Sequence, residues 1–413
     1  QHAAIVRLAE SAQPEGENAW PLYRALIVDT FEISLPGHKA GVDLGWSLRN
    51  PHAPGGALYE PWDQVRTRVD LAVHFERMES ALPRLDEAAA LAGFAPPYTF
   101  DQSSLTESPN ISSDGPVFAI QRPWISHMLH LAIMNLLGLR EAAHASDWEE
   151  ATQRIVTGIA TTRHLTYSPL LFEWSIAISL RWMLLDEVRR TLVEHDVPAS
   201  TLRAWIDTIE YDTWPGAPSR YPLGGLRLMT LDEIAWAYAG KKYPFGGVEG
   251  ESRDRLPPRS ETERLADEWL DAVETWWDMP ASDRPDEISF DRSLIEHNPL
   301  LKRVTRDTPE SQSVRWRLDD METRTRATLV ALRVALHRAE RGALPASLTD
   351  AMPEDTAKDP ASGNMFEYAP GEDRAGRLFT LEAPWLDKHA PWRSPFMPAP
   401  EYIDDRAFMA APR

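Results

Sequence analysis

The sequence predicts a mainly α-helical protein, an array of packed helical hairpins with a small C-terminal β-hairpin unit. Most long segments place apolar residues at the helical period, and short turns or loops rich in Pro and Gly separate them. Two strand-like segments, 365–368 and 378–381, flank a Pro-Gly-Glu-Asp turn near the C-terminus. Hydrophobic residues make up 43% of the chain, which is enough to build a folded core.

The first of four predicted regions, residues 1–115, combines helices with long loops. The periodicity predicts helices at 2–12, 22–31 and 62–92, and the Pro- and Gly-rich stretches 36–61 and 95–116 predict loops. Pro83 should kink or break the third helix, because proline removes a backbone donor and clashes with the preceding turn. Gly93 should cap its C-terminus.

The second region, residues 116–240, is predicted to be the helical hairpin array. Its helices are expected at 123–146, 147–165, 170–195, 198–209 and 223–239. Asp147 is a natural N-cap for the second of these helices. Pro169 lies at the start of the third, where a missing backbone N–H group costs little. Short turns between consecutive helices indicate antiparallel neighbours.

The third region, residues 241–311, is predicted to be a loop-rich connector with one helix at 261–277. The fourth, residues 312–413, should hold a long helix at 312–341, the β-hairpin and a Pro-rich tail. Gly342 should cap the long helix. Charged residues of both signs on this helix predict a solvated, salt-bridged face. They are Arg315, Arg317, Asp319, Asp320, Glu322, Arg324, Arg326 and Arg333.

The segment 359–368 is predicted to form a compact turn that leads into a strand, and the strand should pair with 377–381. Gly363 is expected at positive φ within the turn. The end of the long helix should cover the hairpin through Leu329, Val330 and Leu336.

Composition excludes several classes of protein. Lys and Arg number 43 and Asp and Glu number 63, which gives a formal net charge of −20 and argues against general nucleic-acid binding and charge-driven docking on anionic lipid. The absence of cysteine excludes disulfides, thiolate nucleophiles and iron–sulfur clusters. The 16 Trp residues indicate either buried packing residues, the favoured interpretation, or a sugar-binding platform.

Two groups of residues are candidate metal ligands. His127 and His130 stand three apart on one helical face and could supply two ligands, although structural histidines are the favoured interpretation. Oxygen donors that calcium could use lie close together near the C-terminus, and a plain turn is the favoured alternative. These donors are Asp359, Asn364, Glu367 and Asp373. No other cofactor is predicted.

Four segments carry a resemblance to a known family. They are the stretch around ENAWPLY at 17–23, the helix 69–90 with FAP at 94–96, the stretch from DWEEA at 147–151 to 178, and the stretch from HRAERGALPASL at 337–348 to DPASGNMFEY at 359–368. Together they resemble uncharacterised envelope proteins of planctomycete-type bacteria over nearly the whole chain. That family has no established activity, so the resemblance implies no catalytic residue.

Members of that family usually begin with a membrane anchor or a signal, which is absent here. The chain opens with Gln1 rather than Met, which suggests a mature end left after such a segment is removed; a boundary of a truncated piece is the alternative. We therefore expect a periplasmic or extracellular protein.

The C-terminal stretch also resembles the end of type II secretion pseudopilins, in which a long helix leads through a Gly-x-x-Pro turn to an Asp-Pro-x-Gly loop and short strands. In that family the loop region can bind calcium. The present sequence departs from the pattern because the apolar pilin stem is missing and Ser362 intervenes before Gly363.

The expected function is that of a secreted or periplasmic interaction or scaffold protein without catalysis, which binds an envelope protein partner or assembles with itself. The alternative is an extracellular hydrolase that acts on a glycan with paired carboxylates such as Asp267 and Asp271. Pairs of this kind are expected by chance among 63 acids. Buried Trp side chains would favour the scaffold, and a cleft with two carboxylates beside exposed Trp would favour the hydrolase.

Overall fold

The structure is a computed structural model that describes residues 2–11, 13–31, 62–68, 72–96, 98, 124–212, 221–239, 256–291, 293–305, 308–371 and 379–383. Within these residues lie thirteen α-helices and one two-stranded antiparallel sheet near the C-terminus. The predicted mainly α-helical class with a small β-hairpin is therefore confirmed.

The N-terminal region differs from the prediction at the third helix. Its helices are α1 (His2–Ser11), α2 (Trp20–Phe31), α3 (Trp62–Arg66) and α4 (Ala72–Ala89). The predicted single helix over 62–92 is wrong, because α3 and α4 are separate. The helix α4 also continues through Pro83 without a break.

Gly93 does not cap α4, which ends four residues earlier. Its N–H donates to the carbonyl of Glu17 at 3.0 Å, and its own carbonyl accepts from the N–H of Ala19 at 2.8 Å. The backbone of Gly93 is thus used to pair with the segment before α2, in an isolated parallel bridge with Asn18. The loop predicted at 36–61 and most of the one at 95–116 lie outside the described residues.

Helices α5 (Ile125–His144), α6 (Trp148–Thr166), α7 (Leu171–Glu194) and α8 (Ala199–Tyr211) form the predicted hairpin array. Consecutive helices are joined by three or four residues, and α6 packs against each of α5, α7 and α8, so the chain runs up and down through the array. The Asp147 cap is confirmed, because its Oδ1 accepts from the N–H of Glu150 at 3.1 Å.

The array has two ends, which we name for clarity. The upper end carries the turns 145–147 and 195–198, and the lower end carries the turn 167–170. Asn135 of α5 donates to the carbonyl of Arg154 in α6, and Trp205 of α8 donates to Thr152 of α6, which agrees with this alternation.

Three further helices form a second, smaller core. They are α9 (Tyr221–Tyr238), α10 (Arg259–Trp277) and α12 (Pro299–Val304), with the short α11 (Ser293–Glu296) beside them. The prediction of a loop over 279–310 is therefore wrong in part. Helix formation here buries apolar side chains, which are Ile234, Leu265, Ala266, Ile295, Leu300 and Leu301.

The long helix α13 (Thr308–Arg341) lies at the centre of the protein rather than at its surface. It packs against both α7 and α8. The predicted solvated face is wrong for several of its charged residues: Asp319 is 2% exposed and Arg324 is 9% exposed. These groups are buried because they pair with one another and with groups on other elements. Gly342, at φ +74°, caps the helix as predicted.

The C-terminal unit has the predicted hairpin, but its first strand lies two residues later than predicted and includes Pro370, which was predicted to be in the turn. Strand β1 (Glu367–Pro370) pairs antiparallel with β2 (Phe379–Glu382), with Tyr368 opposite Leu381. Gly363 adopts φ +71°, as predicted for the preceding turn. The Tyr368 hydroxyl donates to the carbonyl of Pro345 at 3.0 Å and ties the hairpin to the chain that follows α13.

One large apolar cluster runs through the molecule from Ala19 to Ala383 and includes residues of all four predicted regions. Nine of the twelve Trp residues in the described part of the chain are buried, which supports the packing interpretation. These are Trp20, Trp62, Trp124, Trp174, Trp205, Trp269, Trp276, Trp277 and Trp316. A search of the described helices finds none that is both long and apolar enough to cross a membrane.

Candidate functional site

A groove of about 500 Å³ lies at the upper end of the array, between the turn that joins α7 to α8 and the last two turns of α13. Its floor is apolar and its rim is polar. The lining residues are Leu192, His195, Asp196, Val197, Pro198, Ala199, Leu202, Ala335, Arg338, Ala339 and Gly342.

The local sequence explains why this space forms. Helix α7 ends when His195 adopts an extended conformation, and Pro198 then opens α8 with its backbone already set for a helix start. Helix α13 ends at the same level, where Gly342 takes positive φ. Small residues, Ala335 and Ala339, face the α7–α8 turn and leave room between the two walls.

Two ion pairs hold the walls together below the groove. Arg203 of α8 binds Glu340 of α13. Two turns further toward the lower end, Arg333 of α13 binds Glu210 of α8 at 2.5 Å. The pairs show that α8 and α13 are antiparallel. Together with the turn 195–198, these two helices frame the groove.

His195 lies on the polar rim of the groove, next to a Trp and a second histidine. The ring of His195 lies 6.3 Å from that of Trp148 and 6.0 Å from that of His144, measured between centroids. The Nε2 atom of His144 lies 3.4 Å from Oδ1 of Asp63. Burial lowers the pKa of His195, against the opposing effect of Glu194, so its ring is neutral at pH 7.

The groove combines a single carboxylate with aliphatic side chains. Asp196 is the single carboxylate among its lining residues, and it is exposed. General acid–base catalysis by a carboxylate pair needs two such groups in unequal surroundings. Buried aliphatic side chains beside a polar rim are instead suited to holding an apolar side chain of a partner.

The predicted pair His127 and His130 lies at the lower end of the array, on the first turns of α5. Both rings pack against Phe31 of α2, with centroid distances of 5.1 and 5.7 Å. Burial lowers the pKa of His127. No group of three His, Asp or Glu residues in the described part of the chain is arranged to hold a metal ion. The packing supports structural histidines, and a metal at this pair stays a prediction.

The four predicted calcium ligands are placed differently from one another. The buried carboxylate of Asp359 accepts hydrogen bonds from Thr323 Oγ1 at 2.7 Å, the N–H of Ala361 at 3.0 Å and Ser362 Oγ at 2.8 Å. Asn364 and Glu367 are exposed, and Asp373 lies outside the described residues. Asp359 thus stabilises the turn and joins it to α13, while calcium binding stays a prediction.

The carboxylates Asp267 and Asp271 are both bound by one guanidinium. Arg227 of α9 donates to them at 2.7 and 2.6 Å, and to Glu274 at 3.2 Å. Both acids lie on an exposed face of α10. Both acids are ion-paired with the same guanidinium in similar surroundings, which weakens the case for a glycan hydrolase at this pair.

A buried histidine that sequence reasoning missed lies at the lower end. The Nε2 atom of His164 is 2.9 Å from the carbonyl of Leu91, and Nδ1 is 3.0 Å from the hydroxyl of Tyr23. A carbonyl can only accept, so Nε2 carries the proton and Nδ1 accepts from Tyr23. Burial lowers the pKa of His164 to about 4. Its hydroxyl partner is 141 positions away, so no local motif could have indicated it.

A second missed cluster surrounds Arg284. This guanidinium is buried between the rings of Trp276 and Trp316, 5.1 and 5.3 Å from their centroids, and pairs with Asp319 of α13. Arg315 binds the other oxygen of Asp319 at 2.9 Å. The cluster fastens the segment after α10 to the central helix, and its role is structural.

The described residues form a mainly helical protein with a groove that has an apolar floor and a polar rim. Comparison with protein-family models, with curated proteins and with solved structures gives no match for this chain. The resemblance to envelope proteins therefore stays an expectation.

Proposed function

We propose that the protein is a non-catalytic interaction or scaffold protein that holds a protein partner in the upper-end groove. The observation that carries the proposal is the composition of the groove. Leu192, Val197 and Leu202 are at most 9% exposed and form an apolar floor, while His195, Asp196 and Arg338 border it. Apolar floors with polar rims are typical of protein recognition sites.

The rigidity of the groove supports binding as its role. Packed helices and the pairs Arg203–Glu340 and Arg333–Glu210 fix both walls before a partner arrives. A preformed site loses little conformational freedom on binding, so more of the contact energy contributes to affinity.

The ion pairing of the carboxylates and the burial of the Trp residues favour this proposal over a glycan hydrolase. Arg227 binds the exposed pair Asp267 and Asp271, and the buried Asp319 is neutralised by two guanidinium groups. Nine Trp side chains are buried in the core, where they cannot form a platform for sugars.

We further propose a periplasmic or extracellular location and an envelope protein as the partner, with a second copy of this chain as the alternative. The support for the location is the resemblance of segments such as 17–23 and 147–151 to envelope proteins.

The test uses a photo-reactive amino acid at Ala339, which is exposed and lines the groove, and a control at Ala90, which is exposed at the end of α4. Both proteins are irradiated in the envelope fraction of the native cell. We expect an adduct of one defined mass from position 339 and none from position 90. The captured protein, once purified, should bind the wild type, and the groove-filling variant Ala335→Trp should lose that binding.

Three results would contradict the proposal: no adduct at either position, the same adducts at both, or unchanged binding by Ala335→Trp. The exposed change Asp196→Lys serves as a second groove variant that leaves the core intact. Release of reducing sugar from cell-wall glycan, lost in Asp267→Asn, would support the hydrolase instead.

A further inference from the structure

His164 joins two chain segments to the lower end of the array. Its ring, on α6, is 0% exposed. One ring nitrogen bonds the hydroxyl of Tyr23 on α2, and the other bonds the carbonyl of Leu91, which follows α4. The ring also stacks on Phe94, with centroids 5.7 Å apart and planes inclined by 11°. The imidazole thus links α2 and the segment 91–94 to α6, in addition to the packing of α2 against α4.

These segments cover an aromatic face. The ring of Trp20 lies 5.7 Å from that of Trp124, and the ring of Phe94 lies 5.6 Å from it. Trp20, Phe94 and Trp124 are each at most 6% exposed. If α2 and 91–94 moved away from α6, this apolar face at the start of α5 would become accessible.

We propose that His164 is an acid-sensitive latch: protonation of its ring releases α2 and residues 91–94 from α6 and exposes the aromatic face around Trp124. The proposal rests on the geometry at the ring and does not depend on the function proposed for the groove, which lies at the opposite end of the array.

The hydrogen-bond pattern identifies what protonation changes. A proton added at Nδ1 removes the acceptor of the Tyr23 hydroxyl, which can turn and donate to Thr161 Oγ1 at 3.3 Å. The hydrogen bonds can thus rearrange. Protonation in the closed form is still opposed, because it places a positive charge in a fully buried layer.

The groups around the ring make that charge more unfavourable. Arg163, which precedes His164 on α6, also lowers the pKa of the ring, because its positive charge repels a protonated imidazole. Tyr23 faces it from α2 and Tyr167 from the end of α6. Asp212 lies 3.9 Å from Arg163 and is bound to Arg181 at 2.5 Å. Burial raises the pKa of Tyr23, so its hydroxyl stays neutral and offers no compensating charge.

The release is confined to α2 and 91–94 because α4 has its own attachment. Asp86 of α4 binds Arg154 of α6 and accepts from Thr157 Oγ1 at 2.5 Å. None of these bonds involves the ring of His164.

The test is hydrogen–deuterium exchange of the full chain at pH 7.5 and pH 5.0, with rates corrected for the intrinsic pH dependence. We expect the amides of 20–31 and 91–94 to lose about tenfold or more in protection at pH 5.0. In His164→Gln, whose amide can donate to Leu91 and accept from Tyr23 without titrating, this response should vanish. His195→Gln, at the other end of the array, should retain it.

Arg163→Gln is a second variant that keeps the latch. Because it removes a like charge from beside the ring, the loss of protection at pH 5.0 should shrink. An unchanged wild type at pH 5.0 would overturn the proposal. So would a response of the same size in His164→Gln.

Discussion

A histidine is buried at the lower end of the helical array, and another borders an open groove at the upper end. At the lower end, α2 closes over His164, and both ring nitrogens are bonded inside an aromatic layer. At the upper end, His195 borders an open groove beside Trp148. The residue type is the same and the neighbours are aromatic in both places. Whether a further helix covers the histidine therefore decides whether the site contributes to stability or remains accessible to a partner.

The largest expected effect comes from a change that separates the lower-end helices. A Cβ atom at Gly225 of α9 would lie 1.7 Å from the carbonyl oxygen of Pro169, in the lower-end turn. Gly225→Ala must therefore displace backbone and should lower the free energy of unfolding by about 3 kcal/mol or more. Denaturant unfolding measures this.

Gly224→Ala is the matched control. Its Cβ would meet the Leu8 side chain at 3.0 Å, and a side chain can move aside. Equal losses in the two variants would show that the close backbone approach at the lower end does not matter.

The next effect concerns the hydroxyl of Tyr23. Tyr23→Phe leaves Nδ1 of the buried His164 without its donor, which should lower the free energy of unfolding by about 1–3 kcal/mol. Tyr211→Phe, at a side chain that is 86% exposed, should have almost no effect. A stable Tyr23→Phe protein would mean that the lower end does not depend on this hydrogen bond.

A smaller effect is expected at the upper end, where Asp147 caps α6. Asp147→Ala should lower the free energy of unfolding by about 1 kcal/mol, because the N–H of Glu150 loses its acceptor. The variant Asp147→Asn should keep most of the free energy of unfolding that Asp147→Ala loses. Thermal unfolding followed by circular dichroism distinguishes the variants, and a full loss in Asp147→Asn would contradict the capping role.

The smallest effect on stability should come from filling the groove. Ala335→Trp places its side chain in open space between α13 and the α7–α8 turn, so the melting temperature should stay close to that of the wild type. Binding of a captured partner should nevertheless be lost. A large fall in melting temperature would show that the groove is part of the core.

Local sequence signals predicted much of the fold. The apolar period located α5, α6, α7 and α8, and single residues such as Asp147 and Gly342 predicted caps that the structure contains. The hairpin of β1 and β2 was predictable because its alternation and turn lie within about fifteen residues.

The burial of α13 was not predictable from its own residues. Its Arg and Asp side chains match a solvated helix by composition, and they are buried because Arg284 and other distant groups neutralise them. Gly93 was misassigned for a similar reason, since its partners Glu17 and Ala19 are more than seventy positions away. The groove and the His164 site also join segments distant in sequence, which the helical period does not reveal.

The central claim is that the buried His164, not the groove histidine His195, makes the protein sensitive to acid. The pKa of His164 is about 4 in the folded protein and about 6.5 when unfolded, so the unfolded chain takes up the proton first as the pH falls. Stability is therefore fully present above pH 6.5 and is lost progressively down to about pH 4. Between pH 7 and pH 5 the loss should be about 2 kcal/mol.

The deciding measurement is the free energy of unfolding of the wild type, His164→Gln and His195→Gln at pH 7 and pH 5. We predict that the His164 contribution of about 2 kcal/mol disappears in His164→Gln, which keeps only the smaller contributions of His127 and His195, and is retained in His195→Gln. Loss of the effect in His195→Gln, with the effect intact in His164→Gln, would contradict the account.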